Sequence, residues 1–171
     1  FQNAGLLKHL SLMDNVLLPH WHSGSLSRRE LAERAQVLFE KTGIAGLEKR
    51  MMQEVSGGEL QRAGICRALV GKPDILFCDE PTGALNSKSA LSCMALLRGV
   101  HREGTAILLV THDPAIAAWA ERIVFMQDGR VVDERMMGPL PDVCEDSKGE
   151  HEGLLEERRR NLLGVLQTLG I

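Results

Sequence analysis

Three short stretches of this chain hold residues whose types and spacing suit a phosphorylated ligand. The first is Val55-Ser56-Gly57-Gly58-Glu59-Leu60-Gln61. A serine followed three residues later by a glutamate marks a capped helix start. Two glycines in a first helical turn cost about 1 kcal/mol each relative to alanine. In exchange they leave a bare helix tip, where backbone N–H groups and the Ser56 hydroxyl can approach a phosphate. Taken alone, an ordinary loop-to-helix junction also accounts for these residues. The second stretch is the apolar run Ile75–Cys78, which closes on Asp79-Glu80-Pro81. Acids at the C-terminal end of a parallel strand sit where open α/β sheets bind ligands. One such acid can support Mg²⁺ through water, and the next can orient or deprotonate an attacking water. A strand simply emerging into solvent would carry the same residues. In the third stretch, Ile107–Val110 runs into Thr111-His112-Asp113. His112 has little weight by itself; it matters because it is expected on the same sheet edge as Asp79 and Glu80.

The elements that must position these residues can be read from pattern. Ser27 and Glu30 form a capping box ahead of a helix whose Leu31, Ala35, Leu38 and Phe39 share one face, with Gly43 as its stop. A short helix around Ser11–Leu18 precedes it and ends at Pro19, and a short segment around Leu47–Met52 follows. Asp74–Asp79 and Thr105–Thr111 are apolar without alternation, as expected for parallel strands buried on both faces. Ser87–Arg102 is a helix and Pro114–Ala120 a short one. Arg122–Met126 and Val131–Glu134 are further strands, and Asp128-Gly129 between them signals a hairpin. The order β-α-β-α-β predicts an α/β fold with a largely parallel sheet. Residues 138–149 form a polar linker before a last helix, about Glu152–Leu169, striped by Leu155, Leu162, Leu166 and Leu169.

Charge narrows the partners. The chain has 171 residues with 20 Lys+Arg and 23 Asp+Glu. Residues 142–160 hold seven acids and four bases, which is the whole of the net −3. A neutral body argues against general nucleic-acid binding, which needs a basic face to displace counterions. The four cysteines show neither a CxxC pair nor ligand spacing with histidine, and buried thiols are the simplest reading. No uncharged apolar run approaches the roughly 20 residues that span a bilayer.

In combination, VSGGELQ, ILFCDEP, GALN and VTHD resemble the signature, Walker B, D-loop and switch-histidine motifs of the ATP-binding cassette (ABC) ATPases. Phe1-Gln2 resembles the Q-loop of that family, and the resemblance covers residues 1–135. The DEPTGALNS form is most similar to the lipoprotein-release, macrolide-efflux and antimicrobial-peptide exporter branch. The resemblance implies a P-loop NTPase-type domain that is incomplete here: a helical subdomain plus the C-terminal half of the parallel sheet core. It implies two segments, residues 1–70 with the Q-loop and signature helix and 71–135 from Walker B to switch; outside it, 136–171 read as linker and amphipathic helix. It further implies ATP and Mg²⁺ as ligands, a membrane permease and a second ATP-binding subunit as partners, and a cytoplasmic position on the inner face of the membrane. Ser56, Gly57 and Gly58, with Glu59 and Gln61 in the same motif, would meet the ATP held mainly by the other subunit. Asp79 and Gln2 would attend Mg²⁺, with Gln2 also sensing the attacking water. Glu80 would be the general base, His112 would bridge the γ-phosphate and the partner's D-loop, and Asn86 would stand in the D-loop.

The sequence departs from the family pattern in two places. No GxxxxGK[ST] loop occurs, and the only Gly-Lys pair, Gly71-Lys72, leads through Pro73 into a strand. The expectation is that the phosphate-cradling loop lies upstream of Phe1 and that the sheet, deprived of its strand, shows a gap, rearranged pairing or exchange with another chain. Asn86 stands where many family members carry aspartate. Other readings are a soluble ATPase of repair or translation type, or a non-catalytic interaction fragment. The arginine-rich tail could lie on a membrane, bind a partner groove or pack on its own domain; its acidic preface disfavours anionic lipid.

Overall fold

The computed structural model describes residues 5–21, 26–83, 85–141 and 148–170. They fall into two compact units, Phe1–Val110 and Thr111–Ile171.

The first unit opens with helices. Helix α1 (Leu12–Leu17) is capped by Ser11, and Pro19 begins no break but sits in a 3₁₀ turn, Leu18–His20, that extends the helix. Helix α2 (Arg28–Lys41) has both bonds of the capping box: Glu30 N–H donates to Ser27 Oγ (3.2 Å) and Ser27 N–H to Glu30 Oε2 (2.8 Å). Its four apolar positions, Leu31, Ala35, Leu38 and Phe39, are all buried. Gly43 ends it in the left-handed region at φ +69°, where a Cβ would be strained. The segment expected around Leu47–Met52 becomes a 3₁₀ turn at Met52–Glu54. Helix α3 (Gly57–Leu69) follows and packs against α1 and α2. Arg34 of α2 reaches its last turn, where Nε donates to Val70 C=O (2.8 Å).

Asn15 organises the start of this unit. It is 1% exposed; its Oδ1 accepts from Leu7 N–H (2.6 Å), and its Nδ2 donates to the carbonyls of Leu7, Leu10 and Ser11 at 3.0–3.2 Å. One buried amide thus satisfies a loop that has no ladder of its own.

Strand β1 (Ile75–Asp79), helix α4 (Ser87–Arg102) and strand β2 (Ala106–Val110) complete the unit. The strands pair in parallel, from Ile75 opposite Ala106 to Asp79 opposite Val110. Burial alternates along them, which corrects the expectation of strands covered on both faces. Leu76 is buried, whereas Ile75, Phe77, Leu108 and Val110 are 54–73% exposed. A strand is dry on both sides only when packed layers lie on both sides; the described residues leave this face open.

The second unit contains α5 (Pro114–Ala117), β3 (Arg122–Gln127), β4 (Arg130–Met136) and α6 (Lys148–Leu169). Strands β3 and β4 pair antiparallel. Asp128 and Gly129 take φ +50° and +75°, the left-handed pair a two-residue hairpin needs. The sheet is therefore not the largely parallel one expected. Among the described residues there are two two-stranded sheets, parallel β1–β2 and antiparallel β3–β4.

The tail helix packs on its own unit. Leu162 is buried with Ala118 and Phe125, and Leu155, Val165, Leu166 and Leu169 close around them. Of the three consecutive arginines, Arg158 is 6% exposed. Its guanidinium donates to the carbonyls of Ala120, Met137, Gly138 and Pro139 at 2.7–3.4 Å. Charge-assisted bonds to backbone oxygens are stronger than neutral ones. Arg158→Ala should lower the stability of this unit by about 2–3 kcal/mol, read by urea denaturation through Trp119 fluorescence in a Trp21→Phe background. Arg158→Lys should fall between; an unchanged midpoint in both would show that the tail is held by its leucines alone.

Candidate functional site

The helix tip is built as the sequence implies. Ser56 caps α3: Glu59 N–H donates to Ser56 Oγ (3.3 Å), and Ser56 N–H and hydroxyl both donate to Glu59 Oε2 (2.6 and 2.8 Å). Leu60 N–H makes the first helical bond, to Ser56 C=O (3.0 Å), so the Gly57 and Gly58 N–H groups precede the ladder. A Cβ placed on Gly57 would meet nothing within 4 Å, so the tip is open. Gly58 differs: a Cβ there would come within 3.3 Å of Leu85 Cδ2, so this glycine also permits a close approach. Glu59 is held below the ordinary carboxylate range, first by the Ser56 N–H and then by the Ser56 hydroxyl.

The acidic pair leaves β1 through a sharp turn. Asp79 is exposed, and Glu80 is half-buried in the left-handed region at φ +46°. A non-glycine residue there costs about 1–2 kcal/mol and has to be held by its surroundings. The restraints are visible. Glu80 N–H donates to Val110 C=O (2.9 Å), extending the β1–β2 ladder by one rung. Glu80 C=O accepts from Gly83 N–H (3.2 Å), and Leu85 N–H donates to Thr82 C=O (2.9 Å). Pro81 and Thr82 are buried.

The remaining predicted site residues divide. Gln61 lies one turn into α3, and its Nε2 donates to Pro81 C=O, with Glu80 C=O at 3.5 Å. Asn86 caps α4: its Oδ1 accepts from Ser89 N–H (2.9 Å). Asparagine is among the preferred N-cap residues because its side-chain oxygen accepts from a first-turn N–H. Thus Ser56, Gly57, Gly58, Glu59, Gln61, Asp79, Glu80 and Asn86 all belong to the first unit, where the Gln61 and Leu85 contacts join the α3 tip to the turn after β1. His112 belongs to the second unit, in an exposed bend just before the cap of α5. Gln2 lies outside the described residues.

Sequence reasoning missed Arg62, whose Nε is buried without a hydrogen-bond partner. It also missed the role of Gly71, where a Cβ would strike the His20 ring at 2.3 Å. Neither contact has a local signal. Among the described cysteines, Cys66 and Cys93 are buried and Cys78 is half-buried; burial pushes the pKa of the Cys66 thiol up to about 11, that of Cys93 to about 12 and that of Cys78 to about 11.

A phosphate and a hydrated magnesium ion suit these residues. The open N–H groups of α3 are donors of the kind that suit an anion. Among the described residues no group of three or more metal-ligating side chains occurs. Mg²⁺ commonly takes only one or two carboxylates and completes its shell with phosphates and water, so a single exposed Asp79 is a sufficient protein share.

The chain has relatives among known proteins. Residues 1–83 match the family model described as ABC transporter. The chain is 44% identical over 135 residues to the macrolide export ATP-binding/permease protein MacB of Chlorobium luteolum, covering 79% of this chain and 20% of that protein. It is 38% identical over 160 residues to the protein of that name from Chromobacterium violaceum, covering 92% and 25%. It superimposes on the dimeric post-hydrolysis state of the ATP-binding cassette MJ0796 bound to ADP and Pi with a TM-score of 0.72 and 34% identity, covering 80% of this chain and 60% of that one. The chain is homologous to MacB-type ATPases, and its residues 1–83 carry the match to the ABC transporter family. It spans about a fifth to a quarter of the length of these curated relatives.

The capping box makes a pH prediction. The folded state favours the ionised Glu59 more than the unfolded chain does. Its contribution is present above the unfolded value of about 4.3 and is lost as pH falls through the lower folded pKa. Glu59→Gln keeps the cap geometry, so that component of the acid-side slope should vanish while stability at pH 7 drops only slightly. An identical slope in the variant, measured by urea titration from pH 3 to 7, would show that Glu59 is not held in this way.

Proposed function

We propose that this chain supplies the signature and acidic parts of an ATP-hydrolysing cassette that drives a membrane permease. The observation that carries the proposal is the open Gly57 tip of α3, joined within one unit to the turn that holds Glu80. The relatives' names and the ADP and Pi of the structural neighbour support the same reading.

In this reading Ser56, Gly57 and Gly58 meet the γ-phosphate of an ATP held mainly by a second subunit. For that, the Ser56 hydroxyl proton turns from Glu59 toward the phosphate, while the helix N-terminus supplies partial positive charge. Asp79 would hold a hydrated Mg²⁺, which would supply positive charge to the phosphates. Glu80 takes a proton from, or orients, the attacking water. His112 bridges the γ-phosphate and the partner's D-loop, which includes the position of Asn86. Gln2 senses Mg²⁺ and the water and reports to the permease. Splitting these groups between two subunits ties hydrolysis to closure, because phosphoryl transfer depends mostly on positioning and charge stabilisation. The proposed location is the cytoplasmic face of the membrane, with the permease as the membrane-embedded partner and no role for nucleic acid. Among the described residues no helix is long and apolar enough to cross a membrane.

The 171-residue chain carries no GxxxxGK[ST] loop. Alone it should therefore bind ATP weakly and turn it over negligibly; micromolar affinity with steady hydrolysis would overturn this. Joining a segment that carries GxxxxGK[ST] ahead of Phe1 gives a testable cassette. In it, Glu80→Gln should retain ATP binding, accumulate closed dimers and lose about 100-fold or more in turnover, the range of a lost general base. Near-normal hydrolysis would remove Glu80 from its role.

A further inference from the structure

We propose that Gln61 is a positioning residue for Glu80, acting through the backbone of the turn after β1 and not through contact with nucleotide. The inference rests on the reading of Glu80 as the water-handling group.

The amide of Gln61 spans from α3 to that turn. Its Nε2 donates to Pro81 C=O, and Glu80 C=O stands 3.5 Å away. The turn asks for such a clamp. Glu80 holds a left-handed backbone at φ +46°, which a non-glycine residue keeps only when its neighbours impose it. The Val110 carbonyl fixes the N–H side of Glu80, at 2.9 Å. Gln61 fixes the opposite side, at the two carbonyls that follow. Orientation is not interchangeable here: with its amide reversed, Gln61 would set oxygen against carbonyl oxygen.

The other end of the same amide shows that the clamp is kept at a cost. Gln61 Oε1 is buried and has no hydrogen-bond partner. A buried acceptor without a donor is unfavourable, and a leucine or methionine would avoid it. Glutamine at this position is therefore explained by what Nε2 holds. The clamp lies three residues past the close approach of Gly58 to Leu85. Any ligand that shifts the α3 tip thus moves the Glu80 turn with it, which makes the helix that meets one subunit's phosphate a support for the glutamate beside another.

The test has two arms. In the full 171-residue chain, Gln61→Leu should speed hydrogen exchange of the Gly83 and Leu85 amides about tenfold, the effect of one lost hydrogen bond. Exchange at Ala63 and Cys66 within α3 should be unchanged, and Gln61→Glu, which keeps the length but offers no N–H, should match Leu. Unaltered exchange at Gly83 and Leu85 would overturn the clamp. In the cassette completed with a GxxxxGK[ST] segment, Gln61→Leu should lower kcat about tenfold with KM for ATP within twofold. A raised KM at unchanged kcat would mean that Gln61 touches nucleotide and would overturn the positioning role. If Glu80→Gln leaves hydrolysis intact while the exchange result holds, the reading of Glu80 fails and the clamp survives.

Discussion

A helix begins with N–H groups that have no partner, and a strand ends with a chain that must turn without one. In this protein those two difficulties are placed side by side. The tip of α3 is closed by Ser56 and Glu59, leaving the glycine N–H groups outward. The exit of β1 is closed by Val110 from the sheet and by Gln61 from the helix. Each element supplies what the other lacks. The arrangement sets the partial positive charge of a helix N-terminus on the element that braces the Glu80 turn. Everything proposed about phosphate chemistry depends on this junction remaining stiff.

The sheet is the least self-sufficient part of the molecule. Two paired strands bury little backbone, and two-stranded ribbons are marginal by themselves. Phe77, Leu108 and Val110 present apolar side chains on the open face of β1–β2. Scattered exposed leucines are ordinary, but neighbouring ones on one sheet face mark a surface suited to a further layer. The residues below it are well supported: Leu76 on the covered face and α4 along β2 hold the strand ends in register. That asymmetry explains how the acidic turn can be well defined on a sheet that is only half clothed.

The second unit solves a separate problem. A hairpin with one apolar side needs a lid, and α6 provides it through Leu162 and its neighbours. Arg158 then satisfies four carbonyls where the chain leaves α5 and β4. In sequence the three arginines read as a cationic stripe open to lipid or to a partner. Their roles differ because a helix points consecutive side chains about 100° apart. Arg158 faces inward, whereas Arg159 pairs on the surface with Glu156.

Local chemistry was legible from the sequence wherever one residue could satisfy a near neighbour. Both capping boxes, the Gly43 stop, the Asp128-Gly129 turn and the apolar face of α2 follow from contacts within a few residues. The resemblance to the ABC ATPases followed from motifs that keep their order along the chain. What the sequence could not contain was anything set by elements distant along the chain: the grip of Gln61 on Pro81, the crowding of Gly58 by Leu85, the orphaned Nε of Arg62, the burial of Asn15. An apolar strand likewise does not reveal whether one layer or two will cover it, so Ile75 and Phe77 read as core and stand exposed. Hydrogen bonds between neighbours are encoded by residue type and spacing. Packing is decided only when the chain folds, because burial belongs to the surfaces that meet and not to either one alone.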